Sequence, residues 1–343
     1  MKQMTSRELF NAVVRGEKTP RPPFWLMRQA GRFLPEYREL KKSRSFVQIT
    51  QTPELAAEAT LQPIRRFGFD CAIIFSDILV VAEALGFGYT FKERGGIMLE
   101  KTVSGERDIA EIEARCADVS ARLQYVAQAL RIVRAEVPHT ALYGFCGAPW
   151  TLACYMLQGE NADGFPKLLE FVRERPDLSE RLMGALARAS AQYAKMQLAE
   201  GIDAFQVFDS HAGLTADGEY WRLSGRWIAE IMAAVKGSAA GVVFANSMSA
   251  RFSEVASVNA DFYSLDSSVR LSEIAEKFGV GVQGNLPPEL LSNGTPTEVS
   301  TKTAEIVADM RGRGRHIFNL AHGIRPDAKL ENVEAMCQTL KSV

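Results

Sequence analysis

The chain has 343 residues, 47% hydrophobic and 24% charged, which suits one large α/β barrel or two average domains. Forty basic residues against 41 acidic ones leave a net charge of −1, so there is no global electrostatic case for nucleic acid or an anionic membrane as partner, and anion binding must come from local clusters. The five cysteines lack a Cys-x-x-Cys pair or zinc-ribbon spacing, and no stretch reaches roughly 18 apolar residues or reads as a secretory signal, so a cytosolic protein is expected.

In chain order, short apolar runs predict eight strands, at residues 23–27, 71–75, 141–145, 204–208, 241–245, 262–265, 280–283 and 316–320. Helical patterns lie between most of them, at 53–67, 107–136, 177–200, 217–236, 297–311 and 327–340. For the first of these, Thr52 is the expected N-cap, Pro53 sits in the first turn and Gly68 is the stop. Strands alternating with helices imply βα units and a parallel sheet. Eight units predict a single (β/α)8 TIM barrel over residues 1–343 as one domain, with functional residues at the C-terminal ends of the strands. A doubly wound sheet is the competing fold, but no Gly-x-Gly-x-x-Gly turn follows the first strand.

Two units echo each other: GFDCAIIFSD at 68–77 aligns with GIDAFQVFDS at 201–210, and DFYSLD at 261–266 is a weaker third copy. Each combines an acidic turn, an apolar strand and polar residues at the strand's far end.

On a barrel, the polar residues after successive strands should converge at one mouth: Arg28 with Arg32, Ser76 with Asp77, Cys146, Asp209 with Ser210 and His211, Asn246, Asp266, Asn285 and His322. Asp77 stands among apolar neighbours, where an ion is costly unless paired; it reads either as a helix N-cap or as a carboxylate awaiting a ligand's N–H groups or positive charge. Arg28 and Arg32, four apart across Gly31, would share a face on a helical turn, and their planar forks suit carboxylate or phosphate. Arg38 and Lys41 read as supports or surface charges. Gly147 and Pro149 mark a strand-to-helix turn, with Tyr155 about two turns in, as core or as site. Asp209 is a candidate cap or orienting group and Ser210 a candidate hydrogen-bond donor; adjacent in sequence, Asp209, Ser210 and His211 cannot form a triad. None of the four histidines lies in a metal-binding spacing, so no metal is expected.

Five separated motifs, PFWLMRQAGRFLPEY at 23–37, FSDI at 75–78, GAPWTL at 147–152 with Tyr155, FDSHAG at 208–213 and NLAHGI at 319–324, resemble the uroporphyrinogen decarboxylase family of the haem pathway over nearly the whole chain. The resemblance implies a cofactor-free (β/α)8 barrel, paired as a homodimer, that converts uroporphyrinogen III to coproporphyrinogen III by turning four acetate side chains into methyls. Carried over by position, the substrate site would comprise Arg28, Gln29, Ala30, Gly31, Arg32, Phe46, Asp77, Tyr155, Ser210 and His322, with Asp77, Arg28 and Arg32 in the catalytic roles. Ala321 departs from the glycine the family usually carries, and Lys41 replaces an arginine of some relatives. A zinc-dependent methyltransferase acting on cobamide or thiol substrates on a related barrel, and a non-catalytic tetrapyrrole-binding protein, are the alternatives.

Overall fold

The computed structural model describes residues 4–91 and 96–343. Its strands are β1 (Cys71–Ile73), β2 (Tyr89–Phe91), β3 (Ile97–Leu99), β4 (Ala141–Gly147), β5 (Ala204–Asp209), β6 (Ala240–Ala245), β7 (Phe262–Ser264), β8 (Gly281–Leu286) and β9 (His316–Leu320). Seven of them form one parallel sheet in the order β1-β4-β5-β6-β7-β8-β9, so each predicted strand from 71–75 onward is present. Their residues are buried almost throughout, as expected of a parallel sheet covered by helices on its outer face.

The eighth stave is irregular. Residues 23–27 lie between β9 and β1: Trp25 N–H donates to Phe318 O at 3.2 Å, Phe318 N–H donates to Pro23 O at 2.9 Å, and Asp70 N–H donates to Phe24 O at 3.0 Å. Only Phe24 forms a ladder bridge, to Phe318. Pro22 and Pro23 have no N–H to give, and the backbone of Arg28 turns left-handed at φ 64°, so the ladder is cut at both ends. These bonds close the sheet into a barrel of eight staves.

The acidic residues of the repeated pattern set the register at the barrel's N-terminal rim. Asp70 Oδ2 accepts Phe24 N–H at 3.1 Å, Asp203 Oδ2 accepts Leu142 N–H at 2.8 Å, and Asp261 Oδ2 accepts Gly241 N–H at 2.8 Å. Each carboxylate precedes its own strand and clasps the start of the stave before it. Asp70 also takes both arms of Arg21, and Asp203 is flanked by Arg7 at 2.7 Å and Arg134 at 2.6 Å. Inside the barrel, Trp25 Nε1–H donates to Gln283 Oε1 at 3.1 Å and Gln283 Nε2 donates to Gln206 Oε1 at 3.1 Å, linking three staves across the core.

The helix Pro53–Phe67 has the expected bounds, with Gly68 left-handed at φ 65°, although the Thr52 side chain makes no capping bond. Two predicted helices are subdivided. The 107–136 pattern becomes Glu106–Arg115, two short turns and Gln124–Glu136, with the break at buried Leu123. The first part packs on the long helix Pro176–Ala199 and the last on Pro53–Phe67, so one straight helix could not serve both. The 217–236 pattern opens with a π-helical turn, Trp221–Gly225, before Arg226–Val235. The antiparallel hairpin β2–β3 was not expected: its strands have three residues each and no clear alternation. Among the described residues, no helix is long and apolar enough to cross a membrane.

Candidate active site

The chain enters the mouth through the turn after the first stave. Residues 28–34 form turns and bends rather than a helix, so Arg28 and Arg32 do not share a helical face. Arg28 adopts φ 64°, a left-handed conformation that costs a non-glycine residue about 1–2 kcal/mol. Its side chain lies across Gly323, where a Cβ would fall 2.5 Å from Arg28 Cδ and 3.0 Å from Nε. Met27 N–H donates to Asn319 Oδ1 at 2.9 Å and Ile324 N–H donates to Met27 O at 2.9 Å, binding this turn to the loop that carries His322.

Arg28 is exposed and has no ion-pair partner among the described residues, and its charge acts on Asp77, Tyr155 and His322 together. Asp77 follows β1 and accepts Leu79 N–H at 2.8 Å, which closes a local turn rather than capping a regular helix. Burial pushes its pKa up to about 6, against the Leu79 N–H and the Arg28 charge, which both pull it down. Tyr155, on the helix Pro149–Gln158, is raised to about 12 by burial and then by the Asp77 charge, so its phenol stays protonated. His322 lies lower than an ordinary imidazole because of burial and Arg28, and its Nδ1 accepts Gly323 N–H at 2.8 Å. Neutral with Nδ1 so engaged, His322 carries its proton on Nε2 as a donor. Phe46 packs at a tilt against Phe75 at 5.3 Å and Phe91 at 4.6 Å, forming an aromatic wall next to the Ser76–Asp77 turn.

The remaining expectations separate into two groups. Ser210 follows β5, where Asn246 Nδ2 donates to its carbonyl at 3.2 Å, and Ala30 and Gly31 are partly exposed in the Arg28 turn. Gln29, however, is 1% exposed and turned inward: its Nε2 donates to Cys71 O at 3.1 Å and its Oε1 accepts Leu26 N–H at 3.1 Å. The side chain braces the turn instead of facing the mouth, because its amide satisfies two backbone groups that burial would otherwise strand. Arg32 is exposed and its charge acts on Tyr37; Arg38 supports it, donating to the carbonyls of Arg32 at 2.8 Å and Phe33 at 3.0 Å.

Several strand-end polar residues are also internal braces. Cys146 is fully buried. Asp209 is 0% exposed and accepts hydroxyls from Thr151 at 2.8 Å and Ser224 at 2.7 Å, with burial pushing its pKa up to about 6. Asn285 Nδ2 donates to the carbonyls of Asp266 at 2.8 Å and Val269 at 2.9 Å. Ala321 sits at ordinary φ with its N–H donating to Leu286 O at 2.8 Å, so the loop does not require a glycine there. Gly323 stands in the sequence only as the residue flanking His322 in the NLAHGI motif, and nothing in the sequence marks the Phe165 ring.

A family profile described as uroporphyrinogen decarboxylase (URO-D) matches residues 5–343. The chain belongs to that family. It is 36% identical to a uroporphyrinogen decarboxylase from Methylobacillus flagellatus, over 99% of this chain and 98% of that one, and 40% identical to one from Brucella ovis, over 96% and 97%. Among solved structures it resembles a methyltransferase from Methanosarcina mazei, with a TM-score of 0.80 and 18% identity over 99% of both chains. A B12-independent methionine synthase from Shewanella matches with a TM-score of 0.53 and 14% identity, over 94% of this chain and 98% of that one. At those identities the likeness speaks for the barrel alone, the fold expected of a uroporphyrinogen decarboxylase family member.

Proposed function

We propose that this chain is a uroporphyrinogen III decarboxylase, with one barrel domain removing carbon dioxide from four pyrrole acetates to give coproporphyrinogen III. The observation that carries the reading is the Asp77 carboxylate within reach of the Arg28 charge, which has no ion-pair partner among the described residues, with Tyr155 and His322 as neutral donors that feel the same charge, in a chain of this family. The substrate presents carboxylates at its rim and four pyrrole N–H groups at its centre. Its complement is a set of cations and neutral donors around one central acceptor.

Each step has the balance RCH2COO⁻ + H⁺ → RCH3 + CO2. Protonation of a pyrrole carbon creates a cationic ring, and the electrons of the breaking C–C bond flow into it. The substrate is its own electron sink, and propionates, one methylene further out, are spared. In this reading ionised Asp77 accepts the pyrrole N–H groups and stabilises the ring cation, an electrostatic contribution aimed at charge that develops during the reaction. Those N–H donors lower its pKa from about 6, so substrate binding itself favours the ionised form. Arg28 and Arg32 would hold side-chain carboxylates, with Ser210, Tyr155 and His322 donating hydrogen bonds. Phe46 and the Ala30–Gly31 backbone would bound the ring face. Gln29 enters as a support of this turn rather than as a side-chain contact.

A cytosolic homodimer belongs to the same proposal. Five unpaired cysteines favour a reducing compartment, and the pairing is carried over from the family resemblance.

Anaerobic incubation with uroporphyrinogen III, oxidation and chromatography by carboxylate number tests the activity: seven-, six-, five- and four-carboxylate porphyrins are expected, and unchanged eight-carboxylate material refutes it. Asp77→Asn keeps the shape and removes the charge, and should lower kcat by about 100-fold or more. Activity within a few-fold of the unmutated enzyme would dismiss the role of Asp77.

A further inference from the structure

Phe165 is the second non-glycine residue near this site with a left-handed backbone, at φ 46° and ψ 60°, directly before Pro166. A bulky residue held there stores on the order of 1–3 kcal/mol, which persists only when its surroundings dictate it. Its ring is 3% exposed and packs edge-on against Tyr155 at 5.3 Å and against His211 at 4.5 Å. Beneath it, His211 Nε2 lies 3.2 Å from the Tyr155 hydroxyl.

His211 is itself fixed from two sides. Its N–H donates to Thr151 Oγ1 at 3.2 Å and its carbonyl accepts Trp150 Nε1–H at 3.0 Å, while Thr151 donates to buried Asp209 at 2.8 Å. The end of β5, the helix Pro149–Gln158 and the segment before Pro166 therefore meet on a single ring pair.

We propose that His211, held in place by Phe165, is a positioning residue that donates its Nε2–H to the Tyr155 hydroxyl oxygen and so turns the phenol proton toward a substrate carboxylate. This rests on the reading of Tyr155 as a substrate donor. Burial lowers the His211 pKa and raises that of Tyr155, so near neutral pH both are uncharged and one proton lies between them. The Asn161 side chain is a further hydrogen-bond partner of the phenol, and for the proton shared with His211 two arrangements are available. If the phenol donates to the imidazole, its oxygen offers an anion only lone pairs. If the imidazole donates, the phenol O–H is free for the anion, and that is what a polycarboxylate requires.

The tautomer is read from 15N spectra of histidine-labelled protein, in which His211, one of four histidines, is assigned by its loss in His211→Gln. Nε2 is expected to carry the proton, with Nδ1 bare. In decarboxylation assays His211→Leu and Tyr155→Phe should each raise KM about 10-fold with kcat within about 3-fold, and the double variant should be no worse than either alone. His211→Gln, whose amide can still donate, should recover most of the KM. An Nε2 without a proton, additive losses of about 100-fold in the double variant, or an unaltered KM in Tyr155→Phe overturns the proposal. A wild-type chain that releases no carbon dioxide refutes the substrate reading instead, and the 15N result still decides the hydrogen bond, in the unmutated fold.

Discussion

Arg28 illustrates how neighbouring residues fix the course of a long side chain. Its backbone is left-handed, and Gly323 leaves room for its methylenes to cross the opposing loop. Adding one methyl group at position 323 would bring carbon to within 2.5 Å of Arg28 Cδ, and backbone on both sides is tied down by the Met27–Asn319 and Ile324–Met27 bonds. The arginine must give way. Gly323→Ala should therefore raise KM for uroporphyrinogen about 10-fold or more while the fold survives, measured by steady-state kinetics alongside circular dichroism. A KM within 2-fold would show that Arg28 has other ways to reach its position. At this scale the sequence is legible as to place: Arg28, Asp77 and His322 follow their staves as the apolar runs predict, and the Arg28 charge reaches both of the others. It is silent on the side chain of Gln29, because a polar residue in a polar motif gives no sign of which way its amide points, here inward to Cys71 O.

Among the elements, the strongest sequence signal was the repeated acidic turn, and its meaning lies at the opposite end of the barrel from the site. Asp70, Asp203 and Asp261 stand before alternate staves and each holds the backbone of the preceding stave in register. Asp203 is 5% exposed at its side chain, paired with Arg7 and Arg134, so its removal strands a backbone N–H and leaves two guanidiniums without their partner. Asp203→Ala should reduce unfolding free energy by about 3 kcal/mol in urea denaturation while leaving KM unchanged, since conservation of shape at the bottom of a barrel serves stability and the mouth carries chemistry. An accompanying rise in KM would mean that the two rims are coupled through the staves. A helix is legible in the sequence where cap, first-turn proline and stop glycine bound one unbroken pattern, as at Pro53–Phe67. Its bounds are hidden where a continuous amphipathic pattern bends to serve two partners, as at Leu123, or widens into a π-turn that brings Ser224 to Asp209. Hairpin β2–β3 has too few residues for a period to show.

Across the molecule, activity and stability respond to pH in opposite directions through one carboxylate. The eight-stave closure, visible in the sequence as eight apolar runs, leaves Asp77 partly buried at the end of β1, and that burial raises its pKa from 3.8 to about 6. A folded pKa above the unfolded one means that the native state holds the proton more tightly. The stabilisation is complete below about pH 4 and is lost as pH rises through about 6. Catalysis in the proposed mechanism needs the other form. For the free enzyme, kcat/KM should climb with pH through an apparent pKa near 6 and then level, with kcat levelling at lower pH because bound pyrrole N–H groups favour the carboxylate. Asp209, also near 6 and fully buried, adds to the stability profile but is untouched by mutation at 77, so comparing two proteins isolates Asp77. Asp77→Asn can still accept Leu79 N–H and removes only the ionisation. It should therefore exceed the unmutated protein in unfolding free energy by on the order of 2 kcal/mol at pH 8, with the difference vanishing near pH 4, as measured by urea denaturation at the two pH values. A variant equally stable at both, or less stable at pH 8, would mean that the carboxylate's charge is already matched within the protein. It would then have little to gain from the ring cation it is proposed to meet.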